Sequence, residues 1–464
     1  MNSFPALLLP LLLIAEFVTG FVRIIPHTTR SLPIVIPVQA VGSSLDVGTT
    51  TIDLDPDTPR DMEPFQNWAM ACGVKQVNGF QLTVIDTTTS GYDDTNKKVD
   101  ISAMTTENLP AGTAVIYVPQ DVILSSRNAM QEIGRLTEVE ETLASANVAE
   151  EHIQWFYLFL KILREYQAGE KSPWYPWLNS LPRYHANGAS MTANCFECLP
   201  PLVGSLAKAE AILAYLFFIS LGQVDFLRDD IKTDKEVVKW AFSIVYTRGS
   251  LTPDGDDIRI VPMGDMLNHA TYPQVEIFYD EQGNAYAMTT ADVPAGSPLC
   301  TLYGDPTNPS HLLARYGFLD ASSPASFCKI MIDNPSEELI NMGYDHSKML
   351  FFKDTGDVSE EVWDVLLYRN LASSDPDTAQ ILYQAHMTGD AETKQAIHQH
   401  YFAETLASLQ DHVQTFLQEL EKLQRKAASL NPEEHPRAPI IMAHNAFVRE
   451  TFLKVQSKLY EFAQ

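Results

Sequence analysis

Apolar residues spaced three or four apart mark the helices of this chain. At 150–167, Ile153, Phe156, Tyr157, Leu160 and Leu163 predict a helix with one apolar side, which Arg164 and Glu165 interrupt only near its end. Residues 65–73, 207–221 and 236–246 predict three further helices. Leu406, Leu409, Val413, Phe416, Leu420 and Leu423 form one stripe of a long C-terminal helix, a pattern of core packing. Residues 440–462 predict a last one. Strands are predicted at 80–86 and 114–119, with a polar loop at 90–98 and a turn at Pro110-Ala111-Gly112 between them. Two further strands, 275–279 and 285–289, flank Glu281-Gln282-Gly283-Asn284 and predict a hairpin. The order is a mixed strand core, a helical insertion and a helical C-terminal region, without internal repeats.

Composition narrows the class. The 464 residues are 45% hydrophobic, enough for a sizeable core without disulfide or metal staples. Against 32 Lys and Arg stand 59 Asp and Glu, a net charge of −27. A chain that grips phosphate backbones carries clustered positive charge, so nucleic acid is excluded as the main partner. The acidity reads as solubility, or as a surface that attracts a lysine-rich target. The cysteines (Cys72, Cys195, Cys198, Cys300 and Cys328) are odd in number and scattered, which argues against a secreted disulfide framework. Cys195 and Cys198 make a lone C-x-x-C with no second pair to complete a zinc site, and no metal is expected.

Residues 4–15 form an apolar run too short to span a bilayer, which takes about 20 residues. Residues 21–45 then hold Arg23, Arg30 and several Ser and Thr but no acid until Asp46. A signal followed by a transit-like stretch opening on Phe21 resembles the bipartite presequence of algae with secondary plastids. The expected location is the plastid stroma, with the secretory pathway as the alternative. No later segment is expected to cross a membrane. Residues 53–63 are acidic. Asp53, Asp55 and Asp57 mimic a calcium loop, but Thr58 and Pro64 stand where that loop needs Gly and Glu, so the segment reads as a linker.

The chain has no phosphate-binding glycine loop, no nucleophile elbow and no H-E-x-x-H. His398 and His400, two apart on a predicted helix, point to different faces and read as solvated. What remains is a series of unusual strings in a fixed order. Ser172-Pro173-Trp174-Tyr175-Pro176-Trp177-Leu178 runs on to Ser180-Leu181-Pro182. Then come Trp240-Ala241-Phe242-Ser243-Ile244-Val245-Tyr246-Thr247-Arg248 and Val261-Pro262-Met263-Gly264-Asp265-Met266-Leu267-Asn268-His269. Last are Leu302-Tyr303-Gly304-Asp305 and Leu312-Leu313-Ala314-Arg315-Tyr316-Gly317-Phe318. Asp265, Asn268 and His269 offer a carboxylate, an amide and an imidazole within five residues. Tyr303 and Tyr316 each precede a Gly, where the backbone can turn and the phenol can enter a pocket.

In this order the strings resemble the SET-domain protein methyltransferases. They are most similar to the branch of the Rubisco large-subunit lysine methyltransferase, to which the actin-histidine methyltransferase is related. The resemblance covers residues 65–320. It implies an α+β fold: a SET-domain β core at 65–322 with a knot-like crossing of the Asn268 and Tyr303 segments and a helical insertion at about 125–235. An all-α substrate-binding domain would follow at 323–464, with a presequence at 1–45 and the linker at 46–64 before the core.

The resemblance also implies methyl transfer from S-adenosylmethionine to a protein side chain. The cofactor supplies an activated methyl group, and the protein aligns and desolvates it. A free Lys has a pKa near 10.4, so the acceptor amine must be made neutral, which an apolar channel and a nearby sulfonium favour. Tyr303 would be the catalytic phenol. Asn268, His269, Arg248, Gly79, Phe80, Tyr303 and Phe318 would bind the cofactor. Tyr316, Asp265 and Ser250 would lie on the acceptor side, Asp265 chiefly as a brace. The implied enzyme is a monomeric lysine N-methyltransferase acting on a non-histone protein, with the Rubisco large subunit or another plastid protein as candidate. Transfer to histidine in the same fold is one alternative, and a degenerate SET-fold scaffold that only binds protein is the other.

Overall fold

The structure, a computed structural model, describes residues 52–86, 99–327 and 330–462. The presequence, the polar loop at 90–98 and Cys328 lie outside the described residues. The chain divides into two compact units. The first holds residues 52–86, 99–185 and 209–303, and the second holds 186–208 and 304 onward.

In chain order the first stretch carries α1 (Met62–Ala71), β1 (Lys75–Gln76), β2 (Phe80–Asp86), β3 (Val99–Thr105), β4 (Ala114–Val118) and β5 (Leu124–Ser125). Helices α2 (Ser126–Ile133), α3 (Thr137–Ser145), α4 (Glu151–Ala168), α5 (Tyr175–Ser180), α6 (Ala193–Phe196), α7 (Pro201–Ser220), α8 (Asp229–Thr233) and α9 (Lys235–Arg248) follow. Then come β6 (Ser250–Leu251), β7 (Ile258–Ile260), β8 (Asn268–His269), β9 (Val275–Tyr279), β10 (Ala285–Thr289) and β11 (Cys300–Thr301).

Small sheets frame the first unit. One has the order β1-β4-β10-β9, all antiparallel, and a second has the order β5-β7-β6. β2 and β3 pair antiparallel from Phe80 opposite Thr105 to Asp86 opposite Val99. The β9–β10 hairpin closes as its sequence predicts. Gly283 takes φ 85°, its N–H donates to the Asp280 carbonyl, and the Asp280 carboxylate caps the N–H of Asn284. β8 runs parallel to β11, with Asn268 opposite Cys300 and His269 opposite Thr301.

The helical side departs from the predicted one-sided pattern at α4, which is buried nearly all round. Its two buried charges, Lys161 and Glu165, stay inside because each has a partner. Lys161 Nζ lies 2.6 Å from Glu132 and 3.0 Å from Glu165, and sits over the Trp174 ring. Ser172 donates to Glu165 at 2.6 Å, and Trp174 Nε1 donates to the Val122 carbonyl. The Ser-Pro-Trp string thus closes a buried polar network. Trp240 on α9 donates to the Pro182 carbonyl, which ties the next string to the Ser-Leu-Pro turn.

Two expectations need correction. α7 begins at Pro201, well before 207, because Pro is well suited to the first helical position. With its following turn it spans Pro201–Gln223 and is long and apolar enough to cross a membrane, contrary to the expectation that no later segment is. Within the first unit it behaves as a packing helix: Phe217 meets Phe156, Phe159 and Phe242. The acidic segment read as a linker is tied down from residue 52. Ile52 is buried, and the Asp53 carbonyl accepts from Arg183 Nε.

The second unit continues with α10 (Pro309–His311), β12 (Ala325–Phe327), α11 (Glu337–Asn341), β13 (Leu350–Phe352), α12 (Glu360–Ser374), α13 (Pro376–Thr388), α14 (Ala391–His400), α15 (Phe402–Ala428) and α16 (Ala438–Glu461). The stripe on α15 is core: Leu406, Leu409, Val413, Phe416 and Leu420 are buried, and Phe416 packs on Phe452 of α16. Gly317 has φ 79°, and a Cβ there would come within 2.6 Å of the Ala186 backbone, so the Gly after Tyr316 is required. Gly304 has no such conformation, so the parallel drawn between the two Tyr-Gly pairs does not hold. His398 is also not simply solvated. Its Nε2 lies 2.7 Å from the buried carboxylate of Asp364, which Lys394 contacts at 2.6 Å.

Candidate active site

In the first unit, five of the ten predicted site residues (Asn268, His269, Tyr303, Asp265 and Arg248) lie on or beside two short parallel strands. The Leu267-Asn268-His269 segment leaves a turn in which Met263 is forced to φ 75°, an uncommon conformation for a non-glycine residue. Asn268 Nδ2 donates to the Ile101 carbonyl at 2.9 Å, fixing β8 to β3. The Tyr303 hydroxyl donates to the Leu267 carbonyl at 2.7 Å, and the Tyr303 N–H donates to His269 Nδ1 at 3.2 Å. With Nδ1 accepting, the ring proton of His269 belongs on Nε2.

Behind this pair lies a buried ionic cluster. The Asp265 carboxylate, with only 1% of its side chain exposed, accepts from Arg248 Nη1 at 2.9 Å and from Trp177 Nε1 at 3.0 Å. The same Nη1 donates to the Asp265 carbonyl. Arg248 Nε and Asp265 Oδ1 are both buried and have no partner. A donor and an acceptor orphaned within one ion pair complement a group that carries a carboxylate and an ammonium together, as an amino acid end does.

Sequence reasoning missed Arg60 and Trp177. Arg60 Nε donates to the Ser180 carbonyl at 2.6 Å, its Nη1 reaches Asp100 at 3.4 Å, and its Nη2 lies 3.6 Å from Met266 Sδ. Burial, and then the charge of Arg248, lower its pKa to about 10. One signal existed: Arg60 is the lone cation in the acidic stretch 53–63. Trp177 had no separate signal, because in sequence an indole serving as donor to a carboxylate looks like a core aromatic.

The remaining predicted residues are spread more widely. Gly79, at φ 82°, turns the chain into β2, and Phe80 pairs with Thr105 across β3. Ser250 is exposed on β6, its hydroxyl 3.5 Å from the Arg259 carbonyl. Tyr316 and Phe318 belong to the second unit, with ring centroids 6.1 Å apart. Tyr316 closes a π-helical turn, Leu312–Tyr316, a distortion frequent at functional sites. His311 before it contacts the Tyr316 ring edge-on, and burial lowers its pKa to about 4. Among the described residues no three His, Cys, Asp or Glu side chains converge to hold a metal.

The crystal structure of the SET domain of LSMT bound to lysine and AdoHcy superposes with a TM-score of 0.56 at 14% identity, covering 87% of this chain and 92% of that one. Rubisco LSMT bound to AdoMet gives 0.56 at 13%, with the same coverage. The fold is that of a SET domain. Sequence comparison points the same way. SET domain-containing protein 4 of Homo sapiens is 27% identical over 188 residues, 35% of this chain and 41% of that protein. Its counterpart in Mus musculus is 24% identical over 189 residues, 37% and 43% respectively. The chain thus spans about two fifths of the length of the curated relatives it matches. No family model matches it. The α+β SET core followed by a helical C-terminal region is the fold class expected from the motifs.

Proposed function

We propose that this SET-domain chain is an S-adenosylmethionine-dependent protein N-methyltransferase, with lysine as the acceptor. One observation carries the reading: Tyr303 lies directly against His269 and Leu267, in a SET fold whose solved relatives were captured with AdoMet or AdoHcy and lysine. When bound, the cofactor supplies a methyl group on a sulfonium, already activated for in-line displacement. Arg248 Nε would donate to its carboxylate and Asp265 Oδ1 would accept from its ammonium, the pairing that the two orphaned atoms fit. The backbone of Asn268 and His269 and the turn at Gly79 would hold the remainder. The Tyr303 hydroxyl, aimed at a fixed carbonyl, is already oriented, which limits the reorganisation needed when an amine arrives.

The substrate is proposed to be a non-histone protein in the plastid, on the strength of the acid-free N-terminal stretch. Methyl-labelled S-adenosylmethionine incubated with stromal extract, with the wild-type chain and Tyr303→Phe side by side, tests both parts. One labelled band that fades with the variant supports the reading. Label fixed on histidine would move the acceptor, and no transfer into demethylated extract would remove the proposal.

A further inference from the structure

A second binding feature lies in the second unit, between α15 and α16. A cleft of about 350 Å³ opens there. Leu420 and Gln424 line it, one helical turn apart on α15, as do Asn445, Arg449 and Leu453 at successive turns of α16. Asn445 is 1% exposed. Its Nδ2 donates to the Cys198 carbonyl at 3.0 Å. A carbonyl can only accept, so this bond fixes the orientation of the amide, and Oδ1 is an acceptor. That oxygen is buried and has no partner, and Gln424 Oε1 is in the same condition. Both oxygens belong to residues that line the cleft, and a buried acceptor is most stable with a donor.

We propose that this cleft takes an alkyl cation, the lysine or arginine side chain of a protein partner. The two amide oxygens require donors, and an ammonium or guanidinium has donors and no acceptor. Leu420 and Leu453 offer apolar walls suited to a methylene stem. Glu450 stands on the rim, and the one cation of the cleft, Arg449, already lies 3.6 Å from Glu421. The net charge of −27 favours a basic ligand over an acidic one. The site deepens the reading above, since a protein substrate would bring such side chains. Its test is binding alone, without S-adenosylmethionine, so a missing site and a missing methyl transfer are told apart.

The full chain is titrated with an alanine-based peptide carrying one lysine, and binding is followed by saturation-transfer NMR. The same peptide with norleucine in place of lysine is the control. Gln424→Leu removes one acceptor. Ala446→Phe fills the cleft from an exposed helical position without touching the Asn445 bond to Cys198. Saturable binding of the lysine peptide is expected, weakened at least about tenfold by norleucine and by each variant, the scale of a hydrogen bond to a charged group. n-Butylammonium chloride is expected to compete. The proposal is overturned if norleucine binds as well as lysine, if both variants bind as the wild type does, if n-butylammonium does not compete, or if no saturable binding is reached at millimolar peptide. The last result would leave the two oxygens to water.

Discussion

Asp265→Asn perturbs the cluster on which the site rests. The side chain is 1% exposed and faces Arg248, itself only 12% exposed, at 2.9 Å. Arg60 is buried nearby and is sensitive to the charges of both. Asparagine keeps the shape and one acceptor for Trp177 or Arg248, but removes the charge that offsets two guanidinium groups. Removing one partner of a buried pair costs about 3–5 kcal/mol. The retained hydrogen bond returns about 1 kcal/mol of that, leaving about 2–4 kcal/mol. Urea unfolding of the full chain, followed by tryptophan fluorescence to which the buried Trp155, Trp177 and Trp240 contribute, reads this. A double-mutant cycle with Arg248→Gln isolates the pair and is expected to show a coupling above about 1.5 kcal/mol. A loss under 1 kcal/mol in the single variant, with no coupling in the cycle, would mean that the ion pair does not organise this turn.

Other positions give independent checks. Lys161→Met leaves the buried Glu165 without its cation, and a loss of about 3–5 kcal/mol is expected in the same unfolding assay. Gly317→Ala combines φ 79° with a 2.6 Å approach to Ala186, so a fall in stability of about 2–4 kcal/mol is expected by calorimetry. His311 has its pKa lowered to about 4 by burial, so it is neutral in the fold and binds its proton more readily when unfolded. Above pH about 6.5 both states are neutral and it contributes no pH dependence. As pH falls from about 6.5 to about 4, stability drops by up to about 3 kcal/mol, then levels off. His311→Gln is expected to flatten that part of the stability–pH curve.

What was legible in the sequence was whatever rests on local chemistry. The β9–β10 hairpin follows from alternation and a glycine at positive φ, and the α15 stripe from spacing alone. The order of the tryptophan-, Asn-His- and Tyr-Gly-bearing strings was enough to point to the fold. What the sequence concealed depends on partners distant along the chain. Lys161 looks like a surface charge until Glu132 and Trp174 meet it, and so the burial of α4 on all sides could not be seen. His398 looked solvated because Asp364, on another helix, is its partner. Arg60 sat in a stretch resembling a tether, yet its bonds go to Ser180 and Asp100. In the site itself, Tyr303, Asn268, His269, Arg248 and Asp265 were visible within motifs, whereas Trp177 as the second donor to Asp265 was not.

The central proposal is that this SET fold binds S-adenosylmethionine at the Arg248–Asp265 pair, with the Tyr303 hydroxyl serving the acceptor amine. Equilibrium dialysis of labelled S-adenosylmethionine against the purified chain tests it most directly, with Arg248→Gln and Tyr303→Phe beside the wild type. Saturable binding at one site per chain is predicted, weakened at least about tenfold by Arg248→Gln and little changed by Tyr303→Phe. No saturable binding, or binding indifferent to Arg248, would contradict it.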